Sequence, residues 1–373
     1  MKIALVHDYL NKLGGAEKVL QIFHKIYPDA PVYTLLYDKA GTRGIFEKDN
    51  YKIVTSSLQN KPAFIRKRSK VLLNKFPQAI EEFDFSDFDV VISGSNSFAH
   101  GIITGPETMH ICYCYSPTRY LWDWHHEYLA ENNIGYGFVG RFLRASLSNL
   151  RIWDRLSADR VNFWISQSKT VADRIKKYYR KDSIIINPPV NIKNFPLNKS
   201  KPKEYYLVVS RLTPYKKIDI AIEAFNKLDK RLIIAGEGSD KNRLEILADS
   251  KNIEFTGYIS DKKHYELLSN CKAFIFPGEE DFGLTPVESM ACGRPVIAYG
   301  KGGVTETVID GKTGLFFNQP TADSLISAIN KFENNINQFK PDICRKRAGQ
   351  FSEEIFIKKI KEEVNKCWHK YHK

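Results

Sequence analysis

The sequence predicts an α/β protein with two domains, each built around a parallel sheet. At 373 residues, the chain is longer than one compact core of ordinary size requires. Short apolar runs alternate with helical patterns along most of the chain, which is typical of parallel strands with helices on both faces. A proline-rich linker over residues 187–203 separates two such series. We therefore expect a first domain at 1–188, a second at 189–351 and a last helix at 352–373.

The loops that follow strands in the first domain carry its candidate functional residues. Loops at the carboxyl ends of parallel strands line the ligand crevice of open α/β sheets. The loop predicted after the first strand carries His7, Asp8 and Asn11 and ends in Gly14 and Gly15. That glycine pair departs from the pattern G-x-G-x-x-G, so a nicotinamide cofactor is not indicated. Strands are predicted at 2–6, 31–36, 52–55, 89–93, 110–114, 161–166 and 183–186.

The second domain opens with a strand at 205–209 and a basic loop, SRLTPYKK, at 210–217. This loop contains Arg211 and Lys216, and a helix is predicted after it at 218–228. The next strand, 231–235, ends in a second glycine loop with Gly236 and Gly238. Both loops leave the carboxyl ends of neighbouring strands, where we expect a ligand.

The most informative stretch is EEDFGLTPVESMACGRPVI, residues 279–297. It follows the buried strand AFIF and contains a turn at Gly283 before a helix that starts at Leu284 and Thr285. Glycine lets a ligand approach the backbone closely, and the free N–H groups and dipole of a helix start favour phosphate. Glu280 and Glu288 flank the turn, so both can face one site. The stretch predicts a site for a nucleoside diphosphate sugar.

This string resembles the E-x7-E signature of family-4 retaining glycosyltransferases of the GT-B fold. The resemblance implies two Rossmann-like domains facing a central cleft, with a C-terminal helix that crosses back to the N-terminal domain. By position, Arg211 and Lys216 would neutralise the donor diphosphate and Glu280 would contact the donor sugar. The donor-binding set implied is Gly14, Gly15, Gly236, Gly238, Phe282, Gly283, Leu284, Thr285 and Glu288, the last on the ribose.

Three first-domain strings, VHDYL, GGAEKVL and HICYCYSPTRYLWDW, resemble bacterial mannosyltransferases of lipopolysaccharide O-antigen assembly. This resemblance implies transfer of mannose from GDP-mannose to a lipid-linked saccharide. Acceptor contacts are assigned to His7, Asp8, Asn11, Tyr115 and Arg119, with Tyr115 where many relatives have a histidine. A UDP-sugar donor, a sugar-nucleotide epimerase or phosphorylase, and a non-catalytic binder remain as alternatives.

No metal and no cofactor are expected besides the sugar nucleotide. His110, Cys112 and Cys114 alternate along a strand, about 6.6 Å apart on one face, whereas ligands of one zinc ion lie within roughly 4 Å of each other. We therefore expect them in packed core. Asp87 and Asp89 precede their strand, so no DxD-like pair stands at a strand end. The six cysteines predict reduced thiols, because residues 1–20 do not form a secretory signal.

The net charge of +13 raises the question of an anionic partner. Residues 57–80 contain six bases and no acid, and residues 119–160 are rich in aromatic residues and arginine. A solvated basic helix and a helix lying on anionic lipid both fit the first segment; a packed helical layer and a lipid-handling surface both fit the second. No nucleic-acid motif accompanies the charge. We expect a cytoplasmic protein, with a peripheral position on the cytoplasmic face of the inner membrane left open.

Overall fold

A computed structural model describes residues 1–66 and 69–373, which divide into two compact units. The first domain consists of Met1–Asn187 and Ile357–Lys373, and the second consists of Pro188–Phe356. Each domain has one parallel sheet with its own hydrophobic core.

The first domain contains a seven-stranded parallel sheet in the order β3-β2-β1-β4-β5-β6-β7. The order reverses between β1 and β4, which pair in register from Ile3 with Val90 to His7 with Gly94. Such a reversal opens a crevice at the carboxyl ends of the two strands. All seven predicted strands are confirmed, with the bounds β1 Ile3–Leu10, β2 Val32–Tyr37, β3 Ile53–Thr55, β4 Val90–Ser95, β5 Met109–Cys114, β6 Phe163–Ser166 and β7 Ile184–Ile185.

The helices of this domain pack apolar faces on the sheet. The first helix begins at Gly15 as expected and buries Val19, Leu20 and Phe23. Ser168 caps the seventh helix, because its hydroxyl accepts the Val171 N–H at 3.2 Å. The helices are α1 Gly15–Ile26, α2 Ile45–Lys48, α3 Ala63–Arg66, α4 Phe76–Glu81, α5 His125–Glu131, α6 Phe138–Ser157 and α7 Lys169–Tyr179.

The basic segment at 57–80 is not one helix, so that prediction was wrong. It folds as a 3-10 turn at Ser57–Asn60, then α3, a second 3-10 stretch at Ser69–Lys75, and α4. Pro62 precedes α3 and Pro77 lies in the first turn of α4. Proline is tolerated at helix starts and breaks helix interiors, which explains the interruptions. Lys67 and Arg68, which belong to the predicted basic helix, lie outside the described residues.

The second domain contains a six-stranded parallel sheet in the order β10-β9-β8-β11-β12-β13. Its reversal falls between β8 and β11, so the loops after these two strands border the crevice of this domain. The strands predicted at 205–209, 231–235 and 273–276 are confirmed. The strands are β8 Tyr205–Val209, β9 Arg231–Ala235, β10 Ile253–Gly257, β11 Ala273–Phe276, β12 Val296–Tyr299 and β13 Gly314–Phe317.

Helices cover both faces of this sheet. Alternate residues of β11 point to opposite sides: Phe274 packs in one apolar cluster with Met290 of α11, and Ile275 packs in the other with Phe225 of α8. The helices are α8 Ile218–Lys227, α9 Lys241–Leu247, α10 Asp261–Asn270, α11 Leu284–Ala291, α12 Val304–Thr307, α13 Ala322–Asn334 and α14 Pro341–Gly349.

The last helix, α15 (Glu353–Tyr371), begins in the second domain and belongs to the first from Ile357 onward. Ser352 accepts the N–H of Ile355 at its start, as a capping residue does. At its end, the Tyr371 hydroxyl donates to the carbonyl of Pro106 at 2.5 Å. Within the described part of the chain, no helix combines the length and apolar character that crossing a bilayer demands.

Candidate functional site

Two glycines bring the loops after β8 and β9 into direct backbone contact. A Cβ at Gly236 would lie 1.9 Å from the carbonyl oxygen of Ser210, and one at Gly238 would lie 2.0 Å from that of Leu212. The Leu212 N–H donates to the carbonyl of Glu237 at 3.0 Å, which joins the two loops. Gly236 and Gly238 therefore shape the loop that carries Arg211.

The two predicted cations lie on the loop after β8. Arg211 is exposed, and its guanidinium donates to the Tyr215 hydroxyl at 2.9 Å. Lys216 is held more firmly, because its Nζ lies 2.5 Å from Oε1 of Glu280, which follows β11. The exposed fractions of these two side chains are only 12% and 23%. The structure thus joins Lys216 and Glu280 across the reversal of the sheet.

A left-handed glycine turn leads from β11 into α11. Gly283 has φ of +87°, a conformation that side-chain-bearing residues rarely adopt. Leu284 is the first residue of α11, so its N–H and that of Thr285 have no acceptor within the helix. The Phe282 side chain is buried against the ring of Phe351, so it belongs to the core. The turn therefore presents the start of α11 beside the Lys216–Glu280 pair.

The backbone of Glu280 is locked by the loop after β12. Glu280 and Gly302 form a parallel bridge, and the Gly303 N–H donates to the Glu280 carbonyl at 2.8 Å. A Cβ at Gly303 would lie 2.4 Å from the carbonyl oxygen of Asp281. Close packing of these two loops keeps the carboxylate of Glu280 in a fixed position.

Glu288, in the second turn of α11, pairs with a residue that sequence reasoning missed. Its Oε2 lies 3.6 Å from Nε2 of His264 on α10, and the Glu288 side chain is almost fully buried. The His264 ring meets Phe195 edge to face, with centroids 5.8 Å apart. No local pattern marks His264, because its partner comes from a different helix.

In the first domain, Asp8 organises a loop. The expectation of a loop from His7 onward was wrong, because β1 continues to Leu10. The two carboxylate oxygens of Asp8 accept the N–H groups of four consecutive residues, 96–99, at 2.7–3.1 Å. An ionised carboxylate has about four acceptor positions, so Asp8 is fully used within the protein. It fixes the serine-rich loop after β4.

His7 lies in a buried polar pair beside the glycine loop. Its Nε2 is 3.5 Å from Oε1 of Glu17, and its buried Nδ1 has no hydrogen-bond partner. Burial would raise the pKa of Glu17, but the hydrogen bond and charge of His7, together with the Gly14 backbone, hold that pKa below its usual value. Tyr115 meets His7 edge to face at 6.2 Å and donates to the carbonyl of Ala16 at 3.1 Å. His7, Gly14 and Tyr115 thus form one cluster.

The other first-domain candidates lie beside this cluster in the chain. Gly15 starts α1. Asn11 is half-buried, and its carbonyl would be 1.9 Å from a Cβ at Gly41. Arg119 donates to Oδ2 of Asp123 at 3.2 Å, and its guanidinium lies 5.0 Å from the ring centroid of Trp124. Arg119 is therefore held by its neighbours in the chain.

His110, Cys112 and Cys114 lie in packed core, as expected. Nε2 of His110 is 2.8 Å from the Ser93 hydroxyl, and burial with the nearby His100 lowers the His110 pKa to about 3. The two thiols pack in an apolar cluster, and all six cysteines are free and buried. Among residues 1–66 and 69–373, no three His, Cys, Asp or Glu side chains are grouped so as to hold a metal ion.

One known family matches within the second domain. Residues 190–350 match the family described as glycosyl transferases group 1. The chain is 31% identical over 194 residues to alpha-1,3/1,6-mannosyltransferase ALG2 of Dictyostelium discoideum, a match that covers 44% of this chain and 46% of that protein. It is 34% identical over 163 residues to a GDP-mannose-dependent alpha-(1-6)-phosphatidylinositol dimannoside mannosyltransferase of Mycobacterium tuberculosis, covering 42% and 41%. The chain spans less than half the length of these two curated relatives.

A solved structure extends the likeness to both domains. The crystal structure of Anabaena HepE in complex with UDP superposes with a TM-score of 0.71 at 18% identity, and covers 98% of this chain and 100% of that one. Together with the two Rossmann-like sheets, this shows the fold. The chain has the GT-B fold, and its second domain matches the glycosyl transferases group 1 family over residues 190–350.

Proposed function

We propose that this chain is a retaining glycosyltransferase that moves mannose from GDP-mannose to a lipid-linked saccharide in cell-surface polysaccharide synthesis. The observation that carries the proposal is the Lys216–Glu280 pair, at 2.5 Å, beside the start of α11. It lies within the segment that matches the glycosyl transferases group 1 family. A largely buried cation next to helix N–H groups that have no acceptor within the helix is suited to a diphosphate.

The chemical task of this site is to stabilise a departing nucleoside diphosphate. Negative charge grows on the phosphate oxygens as the bond to the sugar's anomeric carbon breaks. The guanidinium of Arg211, the ammonium of Lys216 and the N–H groups of Leu284 and Thr285 provide positive charge and donors for those oxygens. Preorganised donors of this kind supply a large part of the rate enhancement in many enzymes.

The two glutamates have different partners and, in this proposal, different roles. Glu280 holds Lys216 before the donor arrives and then contacts the donor sugar. Glu288 contacts the ribose hydroxyls, and His264 on α10 orients its carboxylate. A carboxylate that is already ordered loses less entropy when it accepts a hydroxyl hydrogen bond.

The donor is proposed from the relatives and has one alternative. The two curated relatives are named as mannosyltransferases, and one is named as GDP-mannose-dependent. The superposed HepE structure contains UDP, which supports a UDP-sugar as the second candidate. We favour GDP-mannose because the mannosyltransferases share 31% and 34% identity with this chain, whereas HepE shares 18%.

We further propose that transfer needs no metal ion and takes place in the cytoplasm, at the inner face of the membrane that holds the acceptor. Arg211 and Lys216 would neutralise charge that a divalent cation neutralises in other transferases. Activity should therefore persist in EDTA.

Nucleotide release from GDP-mannose, compared with UDP-sugars and with and without EDTA, tests this proposal. Arg211→Ala should lower turnover by about 10² to 10³. Arg231→Ala is the matched control, because Arg231 is an exposed arginine at the opposite end of β9 that pairs with Glu254 at 2.6 Å. Full turnover in Arg211→Ala would refute the role of the site. Release from UDP-sugars alone would establish the second candidate.

A further inference from the structure

One face of helix α6 exposes an apolar stripe that is interrupted in its middle, where Asn149 is exposed. The stripe consists of Phe138, Phe142, Ile152 and Leu156, and Phe138 and Phe142 are 90% and 64% exposed. From Phe138 to Leu156 the helix makes about five turns of 3.6 residues, so the two ends of this α6 stripe lie on the same face. Val139 and Leu143 widen the stripe at its start. Exposed apolar surface of this extent marks an interaction site.

The opposite face of α6 fixes the helix to the first domain. Leu147 and Leu150 are buried there in the apolar core. Asp154 is buried on this side and accepts hydrogen bonds from Thr118 at 2.6 Å and Trp122 at 2.7 Å. The α6 stripe therefore lies on the side of the helix that faces away from the core of the first domain.

The surroundings of the stripe are basic. Asp154 is the one acid in the sequence of α6, and it is buried. The same helix carries four arginines: Arg141, Arg144, Arg151 and Arg155. The exposed residues of α6 are thus apolar, cationic or neutral polar, and Asp159, just past the helix, pairs with Arg155 at 3.1 Å.

Two of these arginines also shape the turn before the helix. Arg141 donates to the Tyr136 carbonyl at 3.1 Å, and Arg144 donates to the Ile134 carbonyl at 2.9 Å. The Arg144 guanidinium covers the exposed ring of Tyr136 at 4.2 Å. A guanidinium has five N–H donors, so each retains donors for an anion. Aromatic rings beside arginines at the start of a helix suit the boundary between lipid headgroups and acyl chains.

The acid-free segment at 57–80 lies next to α6. The Asn74 side chain donates to the Ser146 hydroxyl at 2.9 Å. In the same segment, Phe64 on α3 is exposed, as is Lys61. Lys61 and the arginines of α6 are cations, and a cation near an anionic membrane surface contributes on the order of 1 kcal/mol to attraction.

We propose that the α6 stripe docks the first domain on a bilayer of anionic lipid, with Phe138 and Phe142 entering the headgroup region. The apolar side chains at the start of the stripe, beside Arg141 and Arg144, match a surface of acyl chains and phosphates. The inference rests on the proposed function, which places the protein at a membrane, and it adds the surface that contacts the lipid. Binding to lipid itself does not depend on sugar transfer.

Vesicle flotation of the full chain, without nucleotide sugar, tests the docking surface. Vesicles of phosphatidylcholine with phosphatidylglycerol should carry the chain upward, pure phosphatidylcholine should carry far less, and high salt should weaken binding. The double variant F138S/F142S should lose at least about tenfold in partition, which corresponds to about 1.4 kcal/mol. Ile246→Ser is the matched control, because Ile246 is 86% exposed on α9 of the second domain.

Each result decides the proposal. Loss of flotation in F138S/F142S with unchanged GDP release in solution would support lipid docking. Equal flotation of F138S/F142S and the unsubstituted chain, or no flotation on anionic vesicles, would overturn it. Self-association in sedimentation that disappears in F138S/F142S, without lipid binding, would assign the stripe to a second copy of the chain. Failure of the proposed function would show separately, as absent GDP release in a chain that still floats.

Discussion

Replacing Lys216 with alanine is the most direct test of the donor site. In the structure the Lys216 ammonium is largely buried, and Glu280 holds it 2.5 Å from its carboxylate at the reversal of the second sheet. Lys216→Ala removes a preorganised cation from the place where phosphate charge would develop. Removing one such donor costs about 10² to 10³ in turnover, or about 2.7–4 kcal/mol of transition-state stabilisation. The fold should lose much less, because a partly exposed ion pair contributes about 1 kcal/mol or less to stability.

Glu280→Gln and the double variant sharpen this test. If Glu280 acts in part by holding Lys216, the two substitutions share one effect, and the double variant should lose less activity than the sum of the two single losses. GDP release measures activity, and thermal unfolding with and without GDP separates folding from binding. Lys227→Ala is the control, since Lys227 pairs with Asp323 at 2.9 Å on the exposed surface. Turnover of Lys216→Ala equal to that of Lys227→Ala would refute the reasoning.

Three further predictions concern the scaffold. Gly236→Ala should displace the Arg211 loop and weaken GDP binding, because the new Cβ would lie 1.9 Å from a carbonyl oxygen. Gly349→Ala is the control and should bind GDP normally, because the space around Gly349 is open. Thermal shifts with GDP that are equal in the two variants would contradict this prediction. Asp8→Ala should cost more than about 3 kcal/mol in chemical denaturation, because it leaves four N–H groups, three of them buried, without an acceptor. A stable variant with low turnover would instead indicate that Asp8 contacts the acceptor substrate. The His110 pKa falls from 6.5 to about 3 on folding, so between these pH values the unfolded chain binds a proton at His110 that the folded chain does not. The free energy of unfolding should therefore drop as pH falls through this window, by up to about 1.4 kcal/mol per pH unit. His110→Gln should flatten that slope, and parallel pH curves for the two chains would rule out this origin.

The strands and the second-domain loops were predictable because their signals are local. The apolar run of β11, the glycine at 283 and the helix after it follow from the preferences of neighbouring residues. That the loops carrying Lys216 and Glu280 lie near each other follows from one further rule, since loops after parallel strands meet at one edge of the sheet. The ion pair itself was not predicted. These features needed no knowledge of side-chain packing.

Other features depend on partners that are distant in the chain, and sequence reasoning missed them. The end of β1 was placed too early because His7 and Asp8 are polar. In the structure Glu17 on α1 pairs with one ring nitrogen of His7, and the backbone of residues 96–99 donates to Asp8. Gly236 and Gly238 also have a packing role that the sequence did not indicate, since a Cβ at either position would collide with a carbonyl oxygen of the neighbouring loop. His264 gave no signal, since Glu288 approaches it from another helix.

The path of α15 has a practical consequence for dissecting the protein. The first domain is discontinuous in sequence, because Ile357–Lys373 returns to it after the whole second domain has been made. Ile360 and Val364 on that returning stretch are fully buried. A chain that stops after residue 187 would thus lack part of the core of the first domain. A chain in which residues 357–373 are joined directly to residue 1 would contain every part of that domain. Ribosomal synthesis imposes the same constraint, since the first domain can be completed only after Ile357–Lys373 has been made.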